Sequence, residues 1–218
     1  MKKVIIVDDH PIVRQGFVLL INQEEDLEVI GEAEDAPGAV SLVQNTKPDL
    51  ALVDLSLKNS NGLELIKDLK VILPELLILV VSLHDEDVYA ERALRAGAKG
   101  FIMKAEATDN VMTAIREVLM GGVYLSNSMR SKILNNLSGG SVKNVQNVTE
   151  LLSDREFEVF QLIGNGLNTR NIAQKLNLSI KTIETYKSHL KNKLNLQDAT
   201  EMIQYAVEWV VKNNQYTS

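Results

Sequence analysis

The sequence predicts an α/β domain with a doubly wound parallel sheet, followed by a small all-α domain. Three observations carry that prediction. Five short apolar runs alternate with amphipathic stretches through the first part of the chain, from Val4 to Leu119. Strand-like pattern then ceases, and from Leu151 onward only helical spacing is found. Charge divides the same way: residues 1–125 carry 12 Lys+Arg against 21 Asp+Glu, and residues 126–218 carry 11 against 8, within a chain total of −6. An acidic front and a basic back are what an acidic module joined to a polyanion-binding module would show.

The elements follow in order. Val4–Val7 is a β-branched run, and residues 14–22 have helical spacing. Leu27–Ala33 reads as a strand, and residues 37–45 as a helix with Pro37 in its first turn. Leu50–Val53 is the third strand, followed by a helix over Gly62–Ile72 with apolar residues at Leu63, Leu65, Ile66 and Leu69. Leu76–Val81 and a helix over Val88–Arg95 come next, then Gly100–Met103 and a helix over Val111–Leu119. Strands apolar throughout are buried on both faces, as in parallel sheets, and alternating strand and helix units give the doubly wound form.

Between Ser126 and Val148 the composition shifts to five Asn, five Ser and the pair Gly139-Gly140. A short helix near Met129–Leu137 and a flexible linker centred on residues 139–147 are expected. Beyond it four helices are predicted, over residues 153–164, 168–176, 179–195 and 198–211. Ser153 with Glu156 has capping-box spacing, Gly164 and Gly166 close the first helix, and Ser179 is a natural N-cap for the third. The resulting division is 1–122, 123–149 and 150–218.

Composition excludes much. The absence of cysteine removes disulfides, thiol catalysis and any Cys-bearing zinc site. His10 and His84 lack a further His or Cys at ligand spacing, which argues against zinc. The apolar run after Lys3 meets Asp8 and Asp9 too soon for a signal peptide core, and nothing near a membrane-spanning length follows. The expectation is a soluble, cytoplasmic protein with no membrane partner.

The chemistry gathers at the strand ends. Asp8 and Asp9 follow the first strand, Asp54 the third, Ser82 the fourth and Lys104 the fifth. In a parallel sheet these ends share one rim, so distant residues converge. Three carboxylates held together repel unless a cation lies among them, and an oxygen-only donor set suits Mg²⁺. One carboxylate can then attack phosphorus, with the metal and the lysine offsetting charge on the transferred group and Ser82 hydrogen-bonding a phosphoryl oxygen. A flavin-nucleotide binder would need a phosphate loop where two carboxylates stand. A P-loop nucleotide hydrolase would need G-x-x-x-x-G-K-[ST], which is absent. A haloacid-type phosphatase would show D-x-D, where this chain has Asp8-Asp9 and Asp54-Leu55-Ser56.

Residues 2–121 resemble the receiver domain of two-component response regulators, and the stretch Val7-Asp8-Asp9-His10-Pro11-Ile12-Val13-Arg14 resembles that of the NarL/FixJ class. The resemblance implies a flavodoxin-like five-stranded domain with Asp54 as phospho-acceptor. It implies Mg²⁺ held by Asp8, Asp9, Asp54 and the backbone carbonyl of Ser56, with Ser82 and Lys104 in their usual roles and Phe101 at the aromatic switch position. The chain departs from the family pattern at Leu57-Lys58, where Met-Pro is common, at Ala105 after the lysine, and in having Phe rather than Tyr at 101. His84, two residues after Ser82, is placed to flank the phosphoryl group and influence its hydrolysis, as is Ser56.

The stretch 151–211 resembles a LuxR-type helix-turn-helix, through Leu152-Ser153-Asp154-Arg155-Glu156, Ile172, Ala173, Leu176, Leu178, Thr182-Ile183 and Lys193-Leu194. Phe157, Phe160, Ile172, Ala173, Leu176, Ile183 and Leu190 make its core. The third helix carries Lys181, Lys187, Lys191 and Lys193 against the single acid Glu184. Glu184, Thr185 and Ser188 are candidate base readers, and Lys181, Lys187 and Lys191 candidate phosphate contacts, with Thr182 beside them. The resemblance also implies that the last helix makes a dimer contact.

Together these readings give a phosphorylation-controlled DNA-binding regulator rather than an enzyme. A sensor histidine kinase would phosphorylate Asp54, and phosphorylation would promote homodimerisation or expose the third helix to double-stranded DNA. Two other readings stay open at this level: a Mg²⁺-dependent aspartyl-phosphate phosphatase, and a helix-turn-helix regulator whose front domain works without phosphorylation.

Overall fold

A computed structural model describes residues 1–57, 60–137 and 148–214, and the chain divides into two compact units, Met1–Val142 and Lys143–Ser218. The first unit is built on a five-stranded parallel sheet in the order β2-β1-β3-β6-β7, formed by β1 (Lys2–Val7), β2 (Leu27–Ala33), β3 (Leu50–Val53), β6 (Leu77–Ser82) and β7 (Gly100–Met103). The two short strands β4 (Ser56–Leu57) and β5 (Ser60–Asn61) pair separately and antiparallel. All five expected strands are present, and the switch in chain direction falls between β1 and β3, where a doubly wound sheet opens its crevice.

The sheet forms because its central strands are apolar on both faces. Val4 to Val7, Leu50 to Val53 and Ile78 to Val81 are buried throughout. Helices α1 (Pro11–Ile21), α2 (Ala36–Thr46), α3 (Gly62–Ile72), α4 (Glu86–Ala96) and α5 (Lys104–Leu119) connect the strands. On one side Phe17, Ile21, Val111, Ala114, Ile115 and Val118 pack against Val4, Ile6, Leu50, Leu52, Leu79 and Val81. Local chemistry sets the helix starts: Asp35 accepts the Gly38 amide, Asn61 accepts those of Leu63 and Glu64, and Asp85 accepts that of Asp87.

Helices α1, α4 and α5 begin earlier than periodicity predicts. Pro11 presets the first turn of α1, while Glu86-Asp87 and Lys104-Ala105-Glu106 are helical turns with little apolar surface, so apolar spacing does not reveal them. The β4–β5 ribbon is also unforeseen. Gly62 shows why it fits: a Cβ there would lie 2.5 Å from the Asp54 carbonyl oxygen and from the Leu55 Cα, so α3 starts this close to the Asp54 loop only with glycine.

After α5 the chain returns to the sheet edge. The Phe101 amide donates to the Tyr124 carbonyl at 2.9 Å, and the Tyr124 amide donates to that of Lys99 at 3.0 Å. Helix α6 (Asn127–Leu137) follows, close to the short helix expected there; the linker expected over residues 139–147 lies outside the described residues.

The second unit is helical: α7 (Val148–Leu151), α8 (Asp154–Gly164), α9 (Thr169–Lys175), α10 (Ile180–Lys193) and α11 (Ala199–Asn214). The capping box of α8 forms with both bonds, Ser153 to the Glu156 amide and Glu156 to the Ser153 amide. Phe157, Phe160, Ile172, Ile183, Leu190, Met202 and Ala206 form the core, with Trp209 edge-on to Phe157 at 5.3 Å between centroids. α7 is an addition to the four helices expected. No helix among the described residues is long and apolar enough to cross a membrane.

Candidate functional site

The strand ends converge. Asp8 leaves β1 and Asp54 leaves β3, and each is only 2% exposed. Lys104 opens α5 directly after β7 and reaches across the rim, its Nζ lying 2.6 Å from Asp8 Oδ2 and 2.7 Å from Asp54 Oδ2. One ammonium therefore neutralises part of two buried carboxylates. Burial pushes the Asp54 carboxyl above its ordinary range; the Lys104 hydrogen bond and charge oppose that, and the nearby Asp8 adds to it. Burial acts to lower the Lys104 pKa, but its bonds to Asp54 and Asp8 outweigh that and raise it.

Ligating atoms of Asp8, Asp9, His10 and Asp54 all fall within 4.8 Å of one another. His10 Nδ1 is 2.7 Å from Asp9 Oδ1 and 3.2 Å from Asp8 Oδ1, while the His10 amide donates to Asp8 Oδ1 at 2.8 Å. Buried Asp9 Oδ1 meets no donor in hydrogen-bond geometry among the described residues, although the imidazole stands close by. An oxygen with a lone pair still to satisfy, beside two more carboxylates, is a donor set that fits a hard divalent cation. His10 was absent from the sequence-derived set because a single histidine has no ligand spacing; its nearness follows from the sharp turn between β1 and α1.

Ser56 and Ser82 take separate positions. The Ser56 amide donates to Asp54 Oδ1 at 3.2 Å, and its hydroxyl shares a 2.9 Å hydrogen bond with His84 Nε2. The His84 ring stacks on Tyr89, with centroids 4.3 Å apart. Ser82, fully buried, accepts the His84 amide at 3.2 Å, which leaves its own hydroxyl hydrogen available to donate. Phe101 is wholly buried on β7.

On α10, Ile183 and Leu190 lie two turns apart on the buried side, and Ser179 caps the helix by accepting the Thr182 amide at 3.0 Å. Lys181, Glu184, Thr185 and Ser188 are exposed, and Thr182, Lys187 and Lys191 partly so. Thr182 also shares a 2.7 Å bond with the Ser179 hydroxyl, and Thr185 donates to the Lys181 carbonyl. Glu184 accepts from Thr169 at 2.9 Å and from Lys187 at 3.2 Å. Lys193, counted with the positive charges of this helix, is exposed but already paired: its Nζ lies 2.6 Å from buried Glu156, tying the end of α10 to the capping box of α8. Burial alone would raise the Glu156 carboxyl, but the bonds from Lys193 and Ser153 outweigh it and hold the pKa below the ordinary value.

Each of the two units also matches known proteins. Residues 4–116 match the family model described as response regulator receiver domain, and residues 150–206 match that described as bacterial regulatory proteins, luxR family. The chain is 35% identical over 210 residues to the oxygen regulatory protein NreC of Staphylococcus aureus, covering 94% of this chain and 97% of that protein. Among solved structures it is similar to RcsB of Salmonella enterica serovar Typhimurium bound to the promoter rprA in the presence of the phosphomimetic BeF3⁻, with a TM-score of 0.64, 29% identity, and coverage of 94% of this chain and 98% of that one. It also matches a two-component response regulator of the LuxR family from Aurantimonas, with a TM-score of 0.59 and 30% identity over 63% of this chain and 99% of that one.

Proposed function

This chain belongs to the NarL/FixJ class of two-component response regulators, and we propose that in it Asp54 accepts the phosphoryl group that controls DNA binding by α10. The protein is a phosphorylation-controlled transcription regulator whose partners are a sensor kinase, double-stranded DNA and a second copy of itself. It works in the cytoplasm, where both the kinase's phosphoryl donor and the DNA are reached.

The observation that carries the reading is Lys104 bridging Asp8 and Asp54 within a cluster of acidic groups. In the transfer an Asp54 carboxylate oxygen forms a bond to phosphorus as the donor's P–N or P–O bond breaks, the bonding pair leaving with the donor. Lys104 offsets charge on the phosphoryl oxygens, and Ser82 donates its hydroxyl hydrogen to one of them. Asp8, Asp9, Asp54 and the Ser56 carbonyl would hold Mg²⁺, which would supply further positive charge for the approach of the dianion. Ser56 and His84, bonded to each other, flank the path of the water that later hydrolyses the acyl phosphate. The receiver in this way takes part in its own phosphorylation and dephosphorylation.

Support for the coupling comes from the exit of the first unit. The Ser126 amide donates to Glu86 of α4 at 2.9 Å, Lys132 pairs with Asp87 at 3.2 Å, and Arg130 pairs with Glu117 of α5 at 2.8 Å. With Tyr124 bonded to β7, α6 is anchored on the strand carrying Phe101 and on the helix that follows Ser82. A shift of Ser82 toward a phosphoryl group, with Phe101 repacking behind it, would reach α6 through these contacts and promote dimerisation or exposure of α10. On that helix Lys181, Lys187 and Lys191 meet phosphates, while Thr182, Glu184, Thr185 and Ser188 face the groove.

The test is intact-mass measurement after incubation with Mg²⁺ and a small acyl phosphate. One phosphoryl group is expected on the wild type and none on Asp54→Asn or without the metal. Full uptake by Asp54→Asn would overturn the assignment.

A further inference from the structure

The DNA-facing helix already holds an anion. Glu184 Oε1 accepts from the Thr169 hydroxyl at 2.9 Å and from Lys187 Nζ at 3.2 Å, and Lys187 Nζ also donates to Thr169 Oγ1 at 3.0 Å. The three atoms form a closed triangle joining the first turn of α9 to the middle of α10. Among the described residues, no carboxylate lies within ion-pair distance of Lys181 or Lys191, so Lys187 is distinguished from the other two lysines assigned to phosphates.

We propose that Thr169 and Lys187 form a seat for one DNA phosphate, which Glu184 fills with its own carboxylate in the free protein. Docking exchanges that carboxylate for a phosphate and releases Glu184 toward base edges. This inference rests on the DNA-binding reading of α10 and adds Thr169 to it.

The donor geometry suits the exchange. A carboxylate oxygen and a phosphate oxygen are both anionic acceptors at similar bond lengths, so one replaces the other without rebuilding the donors. In the exchanged state the Thr169 hydroxyl hydrogen turns to the phosphate oxygen, and Lys187 keeps its bond to Thr169 while donating to the same oxygen. Lys187 is 21% exposed along its side chain and Glu184 54%. The cation is therefore the better buried partner and the carboxylate the more exposed one, which is the asymmetry a replaceable internal ligand needs. The Thr169 hydrogen bond, ahead of that from Lys187, holds the Glu184 carboxyl below its ordinary pKa, so the internal ligand is anionic at neutral pH.

The seat also separates two roles that look alike in the sequence. A lysine already pointed by a partner loses less side-chain freedom on meeting DNA than one waving in solvent. Against that, the partner must be displaced, so the site favours duplexes that offer the released carboxylate a donor such as a cytosine amino group. A duplex lacking one strands Glu184 beside the groove with nothing to accept. Glu184 thus acts as a brake on indiscriminate binding, and its removal strengthens binding to duplexes that offer its carboxylate no donor.

The experiment uses the intact chain and a fluorescein-labelled mixed-sequence duplex, titrated over a salt series. Glu184→Gln is expected to tighten binding roughly fivefold, the upper end of what breaking an exposed ion pair returns. Glu208→Gln, an exposed carboxylate on α11, controls for overall charge and gives a smaller gain. In a Lys187→Ala background the gain from Glu184→Gln shrinks to that of Glu208→Gln. Thr169→Val weakens binding and Thr169→Ser does not, and Lys187→Ala lowers the slope of log affinity against log salt by about one unit. Equal gains from Glu184→Gln with and without Lys187, or equality with Glu208→Gln, overturn the exchange while leaving DNA binding intact. No binding by the wild type even at low salt and after phosphorylation with Mg²⁺ and a small acyl phosphate overturns both the exchange and the DNA-binding reading.

Discussion

The two functional regions of this chain are built in opposite ways. The proposed phosphoryl site gathers Asp8, Asp54 and Lys104 from three separate segments of the chain and buries them at a sheet rim. The proposed DNA-facing surface comes from one helix, α10, and most of its assigned residues are exposed. Burial makes the first site a place where one missing charge changes everything, because a dry carboxylate cannot turn to water for compensation. Exposure makes the second a surface of many small contributions, each screened by salt. The difference predicts that single substitutions will act sharply in the first region and in graded fashion in the second.

The largest effect is expected at Lys104. Lys104→Ala leaves Asp8 and Asp54 facing each other with no shared ammonium, and phosphoryl uptake measured by intact mass should slow by about a hundredfold or more. Uptake at the wild-type rate would show that the bridge is packing rather than chemistry.

Next comes Glu156, a buried carboxylate of α8 that ties down the end of α10 behind the second region. Glu156→Ala removes the Lys193 pair and half the capping box, and should cost about 2 kcal/mol of stability. Trp209, the only tryptophan, packs against Phe157 and reports unfolding of the second unit alone. The pH dependence follows in sign: the bonds from Lys193 and Ser153 hold the Glu156 carboxyl below its ordinary value of 4.5, so the stabilisation is present above pH 4.5 and is lost as pH falls through the lowered pKa. Glu156→Gln should flatten the Trp209-detected stability curve in that acid range. An unchanged curve would show that Lys193 contributes nothing there.

The smallest effect is expected at the site's edge. His84→Ala and Ser56→Ala should each change the half-life of the acyl phosphate by roughly two- to threefold, and the double variant by no more than either alone, because the two side chains are bonded to each other. Equal half-lives in wild type and His84→Ala would remove histidine from the hydrolytic path.

How far the sequence revealed each region follows from the same contrast. Asp8, Asp9, Asp54, Ser82 and Lys104 are readable because each comes at or just beyond the end of an apolar run, and parallel strands put those ends on one rim. The pairing of Ser56 with His84 and the stacking of His84 on Tyr89 join residues by loop geometry that no periodicity encodes. The β4–β5 ribbon escapes for a similar reason: Ser56-Leu57 and Ser60-Asn61 are too short and polar to register as strands. On α10 the lysines are visible as charge, but their destinations are not. Lys193 is drawn to Glu156 and Lys187 to Glu184, because the partners arrive from α8 and from one turn earlier on the same helix.

The central claim is that a phosphoryl group at Asp54 in the buried region changes what the exposed region binds. Its most direct test is the affinity of the intact chain for a duplex selected by that same chain, before and after phosphorylation with Mg²⁺ and a small acyl phosphate. Affinity of the wild type should change by roughly fivefold or more, the usual range of coupling between two sites, and that of Asp54→Asn should not change at all. Equal affinity before and after, with the phosphoryl group verified by mass, or the same response from Asp54→Asn, would contradict the account.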